Sequence, residues 1–196
     1  NQCAWLLNQW TGVSATNRVT FQAGPGESPV IDANGHAVGI YWNGADYTTI
    51  EGFEIRGATN DAVCMYTHSS ANAYDNVITR CRIHDCGRVG VLTYGNSGPL
   101  NNTIISNNVF WNLMTNPNGG GFSGFIRDGY ISGRRDNNTQ ILHNTFLCTT
   151  MVATNGWILG NYPSGTGYTC FTRVEGNVFP KSAALGMIFF YQTSGA

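Results

Sequence analysis

The sequence predicts an all-β solenoid, and two repeated phrases carry that prediction. The first phrase reads apolar–x–x–(Phe, Cys or Asn)–x–(Ile or Phe) and recurs at 50–55, 78–83, 105–110, 141–146 and 174–179. Its copies begin between 27 and 36 residues apart. A repeat period of about 20–50 residues is the signature of a solenoid, in which each unit buries its apolar side chains by stacking on its neighbours.

The second phrase is a short apolar run that precedes each copy of the first, as at 37–41, 62–66 and 88–92. Each repeat therefore contains three short runs, which in the second repeat are 62–67, 76–79 and 81–83. These runs are rich in Val, Ile, Thr and Phe, are bounded by Gly, Asn and Asp, and are too short for helices, so they favour strands. Three strands per turn, repeated in order, predict a parallel β-helix with three sheets.

Residues 19–32, which read VTFQAGPGESPVID, resemble a first-coil phrase of the right-handed parallel β-helix superfamily, the pectate-lyase-like fold. The resemblance implies a right-handed, single-stranded parallel β-helix of about six to seven coils, with 1–196 as a single domain. It also implies that ligands lie along the first sheet. We expect Asn108, Asn144 and Asn177 to form an inward ladder at the bend between the second and third sheets, where their amides can satisfy buried backbone groups.

No cap is evident at either end of the predicted solenoid. Residues 4–8 align with the first-sheet run 39–43, and the chain ends inside another such run, at 188–191. Because solenoids need caps, we expect a piece of a longer β-helix, or ends that loops or other subunits cover. Uncapped coils would allow end-to-end self-association.

The charge and hydropathy of the chain limit the classes of binding partner that we expect. Charged residues make up 11% of the chain, against about 25% in a typical protein, and the net charge of −1 gives no support for a nucleic-acid partner. No apolar stretch is long enough for a membrane span. Together with the resemblance, this favours a secreted or cell-surface protein whose partner is a polysaccharide or other glycan.

Six cysteines permit disulfides in an exported protein, and Cys81–Cys86 and Cys148–Cys170 are the pairs to test. The alternative is buried free thiols, since Cys64 and Cys81 fall on strand positions. No Cys or His spacing is typical of zinc, so no metal site and no cofactor are predicted. A calcium ion is left open, although the aspartate cluster of pectate lyases is not recognisable.

Two long loops, at 111–127 and 160–168, border the same first-sheet strands and are expected to wall a groove with Arg127, Asp128 and Arg134 at its rim. An arginine fork binds a carboxylate bidentately, and a lyase acting on uronates needs a cation, a base and an acid. Arg127 or Arg134 would supply the cation, and His68 or Tyr130 the base or acid. A hydrolase would instead use paired carboxylates, for which Asp61, Asp128 and Asp136 are the candidates. The alternative is that 134–136 form a solvated turn.

Aromatic residues suggest a sugar-binding platform. Tyr41 and Tyr66 are expected to point outward at one level, with His68 and Tyr94 two positions further on, on strands about 4.8 Å apart. Tyr130, Trp157 and Tyr162 stand beside the long loops and are further candidates for substrate binding. The alternative is that some of these rings pack beneath neighbouring turns.

The leading hypothesis is an extracellular, carbohydrate-interacting β-helix, most plausibly a lyase-like polysaccharide-active enzyme or a fragment of one. The alternative is a non-catalytic structural or adhesive β-helix, such as a tailspike, an adhesin or a filament subunit.

Overall fold

The computed structural model describes residues 3–7, 11–67, 73–95, 100–116, 123–132, 138–147, 156–164, 172–179 and 186–190, and every regular element in these ranges is a β-strand. In the described ranges we find no helix of the length and apolarity that crossing a membrane requires. The predicted all-β class is confirmed.

Three parallel sheets account for nearly all the strands. The first sheet contains β1 (Cys3–Leu7), β4 (Val38–Asn43), β7 (Asp61–Thr67), β11 (Val89–Gly95), β15 (Ser123–Ser132), β18 (Gly156–Ser164) and β20 (Gly186–Phe190). The second contains β2 (Val19–Gln22), β5 (Thr48–Glu51), β9 (Val77–Thr79), β13 (Ile104–Ser106), β16 (Thr139–Leu142) and β19 (Thr172–Glu175). The third contains β3 (Val30–Asp32), β6 (Glu54–Arg56), β10 (Arg82–Cys86), β14 (Val109–Leu113) and β17 (Thr145–Leu147).

The chain passes through the first, second and third sheets in that order and then returns to the first, which makes about six coils of a parallel β-helix. Two further short strands, β8 (Ala73–Tyr74) and β12 (Leu100–Asn101), pair with each other just before the second sheet.

The core consists of side-chain stacks that run along the solenoid axis. Ile50, Ile78, Ile105, Ile141 and Val174 pair from strand to strand in the second sheet. In the third sheet Ile83, Phe110 and Phe146 pair in the same way, and the rings of Phe146 and Phe179 stack at 5.3 Å. All these residues are buried except Val174 and Phe179, which are partly buried. The predicted stacks are confirmed.

The predicted asparagine ladder is also present. The Asn144 side-chain oxygen accepts the Asn108 main-chain N–H at 3.0 Å, and its amide donates to the Ile105 carbonyl at 2.9 Å. Asn108 and Asn177 repeat this pattern one coil earlier and one coil later, toward Cys81 and Asn144 respectively. Each rung therefore satisfies two backbone groups that the bend would otherwise leave buried and unpaired.

A left-handed residue precedes the ladder in each coil and sharpens the bend. These residues, one in each of five coils, have φ angles between 53° and 79°: Gly52, Arg80, Asn107, His143 and Gly176. At Gly176 an added Cβ would meet the ring of His143 on the preceding coil, so a larger residue there would have to displace that ring. The bend is thus built by a repeated backbone conformation, for which glycine and asparagine are favoured.

The first sheet departs from the predicted register. Tyr41 pairs with Cys64, not with Tyr66, and Val91 pairs with Ile126, so the next strand starts earlier than expected. The observed partners of Tyr41 and Val91 are displaced from the expected ones by two and by four residues, so each side chain keeps its expected face of the sheet and only its neighbour on the next coil changes.

The two long loops are shorter than predicted. Residues 111–113 belong to β14, 123–127 to β15 and 160–164 to β18. The strands continue because β15 and β18 pair with each other from Ser123 to Ser132. Of the remaining loop segments, 117–122 and 165–171 lie outside the described residues.

Four cysteines are described, and all are free thiols: Cys3, Cys64, Cys81 and Cys86. The suggested Cys81–Cys86 disulfide is therefore wrong. Cys81 directly precedes β10 and Cys86 is its last residue, so the two lie roughly 16 Å apart at about 3.3 Å per residue, whereas a disulfide needs Cα atoms within about 7 Å. Cys148 and Cys170 lie outside the described residues.

Candidate functional site

The outer face of the first sheet carries a second apolar cluster, separate from the core. Along β4, Ile40 and Trp42 belong to the core, while Tyr41 between them belongs to the outer cluster. The same alternation places Cys64 and Leu92 outside, in register with Tyr41. With Val38 and Val89, which are also buried, these side chains form an apolar floor on the outside of the solenoid.

Three tyrosines on consecutive coils border this floor, and we call them the tyrosine row: Tyr41, Tyr66 and Tyr94. Tyr66 and Tyr94 pair in register, and their rings lie 5.1 Å apart at an interplanar angle of 7°. The rings of Tyr41 and Tyr66 lie 5.7 Å apart at 30°. Since parallel rings at this distance lie partly over one another, the row offers a ligand hydroxyl groups and ring edges more than open ring faces.

The environment of the row disfavours negative charge. Burial, reinforced by the nearby Cys64 thiol and the other tyrosines, raises the pKa of Tyr41 to about 12. Burial also raises the pKa of the Cys64 thiol far above its usual range, with a smaller contribution from Asp61. At neutral pH the phenol and the thiol are therefore uncharged, and the hydroxyl of Tyr41 can both donate and accept hydrogen bonds.

An ion pair closes one end of the face. Asp61 is 2% exposed, and its carboxylate accepts hydrogen bonds from Arg88 Nε at 2.9 Å and from Arg88 Nη2. The hydrogen bonds to Asp61 raise the pKa of Arg88 despite the opposing effect of burial. The sequence named Asp61 as a hydrolase carboxylate and missed Arg88. The pair could have been found from the repeat, because Asp61 begins β7 and Arg88 directly precedes β11, the next strand of the first sheet.

The predicted site residues are only partly brought together. Arg127 lies on the outer face in register with Leu92, but it is 7% exposed, so it lies beneath the surface and not at an open rim. Asp128 and Tyr130 lie in the same strand, and Trp157 and Tyr162 lie in β18. Of these four, the structure describes the strand position and not the side chain. His68 and Arg134 lie outside the described residues.

The roles predicted for these residues in catalysis and substrate binding stay predictions. In the described part of the chain, no group of three or more His, Cys, Asp or Glu side chains is arranged to hold a metal ion.

A second polar cluster, which the sequence did not single out, lies on the outer face of the third sheet. The His84 ring stacks on Trp111 with centroids 3.9 Å apart. Its Nδ1 lies 2.7 Å from an Asp85 oxygen, and its Nε2 lies 3.4 Å from Glu54. Glu54 also pairs with Arg56 at 2.9 Å. Because both imidazole nitrogens face carboxylates and the ring is buried, this cluster links coils and leaves neither nitrogen for a ligand.

A family model described as a right handed beta helix region matches residues 30–146. The chain belongs to the right-handed β-helix family. This β-helix is similar in fold to an alginate lyase from Paenibacillus sp. str. FPU-7, with 12% sequence identity, 90% of this chain and 83% of the lyase covered, and a TM-score of 0.33. Comparison with curated proteins gives no match. The family resemblance expected from residues 19–32 is confirmed.

Proposed function

We propose that the β-helix is an extracellular carbohydrate-interacting protein that binds a polysaccharide along the outer face of its first sheet. The observation that carries this proposal is the tyrosine row, in which three half-buried phenols on three consecutive coils contact one another above an apolar floor. A repeating ligand suits a repeating surface, because each coil can present the same group to successive units.

The chemistry of the row suits sugars. A phenol combines an apolar ring with a hydroxyl that donates and accepts, and a sugar combines C–H patches with hydroxyls. The side chains are held by their mutual packing and by a rigid sheet, so little conformational entropy is lost when a ligand binds.

The lyase-like hypothesis adds Arg127, Asp128, Arg134 and His68 to this face as catalytic groups. It predicts release of unsaturated sugar ends, which absorb in the ultraviolet, from a polysaccharide incubated with the protein. A structural or adhesive β-helix would bind the polysaccharide and release none.

Affinity electrophoresis tests the binding proposal, with the parent protein run through native gels that contain a panel of soluble polysaccharides. We expect at least one polysaccharide to retard the parent protein, and Tyr66→Ala and Tyr94→Ala to abolish the retardation. Tyr74→Ala is the matched control, because Tyr74 lies on the short strand β8, outside the row. Equal retardation of all four proteins would contradict the proposal.

A further inference from the structure

The described part of the first sheet's outer face contains two cationic side chains, Arg88 and Arg127. The first of them already binds a carboxylate of the protein. Arg88 uses Nε and Nη2 to bind both oxygens of Asp61. Asp61 is buried, so breaking the pair would leave its carboxylate in the protein without a counter-charge, which is strongly unfavourable. The two charges therefore cancel within the protein, and a ligand carboxylate that approached Arg88 would compete with a carboxylate already in place.

Arg127, the second cation, is covered. Its side chain lies in register with Leu92, a member of the apolar floor, and the residue is only 7% exposed. A carboxylate on a ligand that lies over the surface is thus kept away from the guanidinium.

The floor itself opposes an anion. The buried side chains next to the row are Val38, Cys64, Val89 and Leu92. A carboxylate laid on such a surface loses water and gains no opposite charge, which costs more than any neutral hydroxyl hydrogen bond returns. The same burial raises the pKa values of Tyr41 and Cys64, which is this penalty for negative charge expressed at two side chains of the face.

We infer that the tyrosine row selects an uncharged sugar segment and discriminates against uronic acids, contrary to the acidic glycan expected from the arginines in the sequence. This inference rests on the proposed polysaccharide binding at the same face and names its substrate class. A neutral hexose places a C6 hydroxyl where a uronate places a carboxylate, so a single functional group separates the two classes.

Matched polymers test the inference. Native gels contain a soluble glucan, mannan or galactan, or the same polymer oxidised selectively at C6, so that the members of each pair differ only in the carboxylate. We expect the neutral member to bind at least about tenfold more tightly, which corresponds to about 1.4 kcal/mol. Binding should change little between about 0.05 M and about 0.5 M salt, because charge pairing does not contribute. Arg88→Lys should leave the preference for the neutral polymer unchanged.

The outcomes separate the inference from the proposed function. Tighter binding of the oxidised polymer, weakened by salt and lost in Tyr66→Ala, overturns the neutral selectivity and leaves polysaccharide binding at the row standing. A preference for the oxidised polymer that Arg88→Lys removes would overturn the inference and identify Arg88 as the carboxylate partner. If none of the six polymers retards the protein, the inference fails; the proposed function fails as well if no polysaccharide of the wider panel retards it.

Discussion

Replacement of Asn144 by alanine tests how much the internal ladder stabilises the solenoid. The substitution removes the acceptor of the Asn108 main-chain N–H and the donor to the Ile105 carbonyl, and both residues are buried. Each buried polar group left unpaired costs about 1–3 kcal/mol, so the free energy of unfolding should fall by about 2–6 kcal/mol. For a chain of this size, 1 kcal/mol lowers the melting temperature by about 2–4 °C.

Thermal unfolding followed by circular dichroism near 218 nm measures this loss, with Asn34→Ala as the matched control. Asn34 is exposed in a turn, and its replacement should change stability by less than about 0.5 kcal/mol. A melting temperature of Asn144→Ala equal to that of the control would contradict this prediction, because it would mean that water replaces the amide without cost.

Three further predictions follow from the core and the thiols. Phe110→Ala should destabilise the protein by about 3–5 kcal/mol, since Phe110 is fully buried and stacks on Phe146, whereas Val178→Ala at an exposed site should cost little in the same melt. Thr103→Val should be neutral or stabilising because the Thr103 hydroxyl is buried without a hydrogen-bond partner. Thr48→Val should cost about 1 kcal/mol because it removes a hydrogen bond to the Asp46 carbonyl. A Thr103→Val variant less stable than Thr48→Val would contradict this prediction. Burial raises the pKa of Cys81 to about 11 and of Cys86 to about 12, so both thiols should resist iodoacetamide at pH 8 in the native state. The free energy of unfolding should fall as the pH rises above about 9, because there the thiols of the unfolded chain ionise and bind fewer protons than those of the native protein. Alkylation of these two as fast as of the half-buried Cys3 would show that they are exposed.

The fold was predictable because its causes are local and repeated. Apolar residues recur at the same positions of each repeat, so the stacks through Ile78 and Phe110 follow from their spacing alone. The ladder at Asn144 follows from one residue type at one level of the repeat. The register of the first sheet was not predictable from the side-chain pattern, because a shift of two residues, such as the one that pairs Tyr41 with Cys64 in place of Tyr66, leaves every side chain on the same face.

The candidate site was less predictable, for a physical reason. The sequence shows that Arg127 is charged but not that it lies beneath the surface, and burial decides whether a cation can meet a ligand. The pairing of Asp61 with Arg88 joins residues 27 positions apart, which only the coil register brings together. Likewise, the tyrosines were expected as an open platform, and their mutual stacking became apparent only from the ring geometry.

Tyrosine footprinting is a direct test of the claim that a polysaccharide binds along the tyrosine row. The native protein is iodinated for a short time with and without a saturating concentration of the polysaccharide that retards it, and modification is measured for each tyrosine by peptide mass spectrometry. We predict that the polysaccharide protects Tyr66 and Tyr94 and leaves Tyr74 unchanged. Unchanged modification of Tyr66 and Tyr94 under conditions where the polysaccharide is bound would contradict the claim and place the glycan on another face of the β-helix.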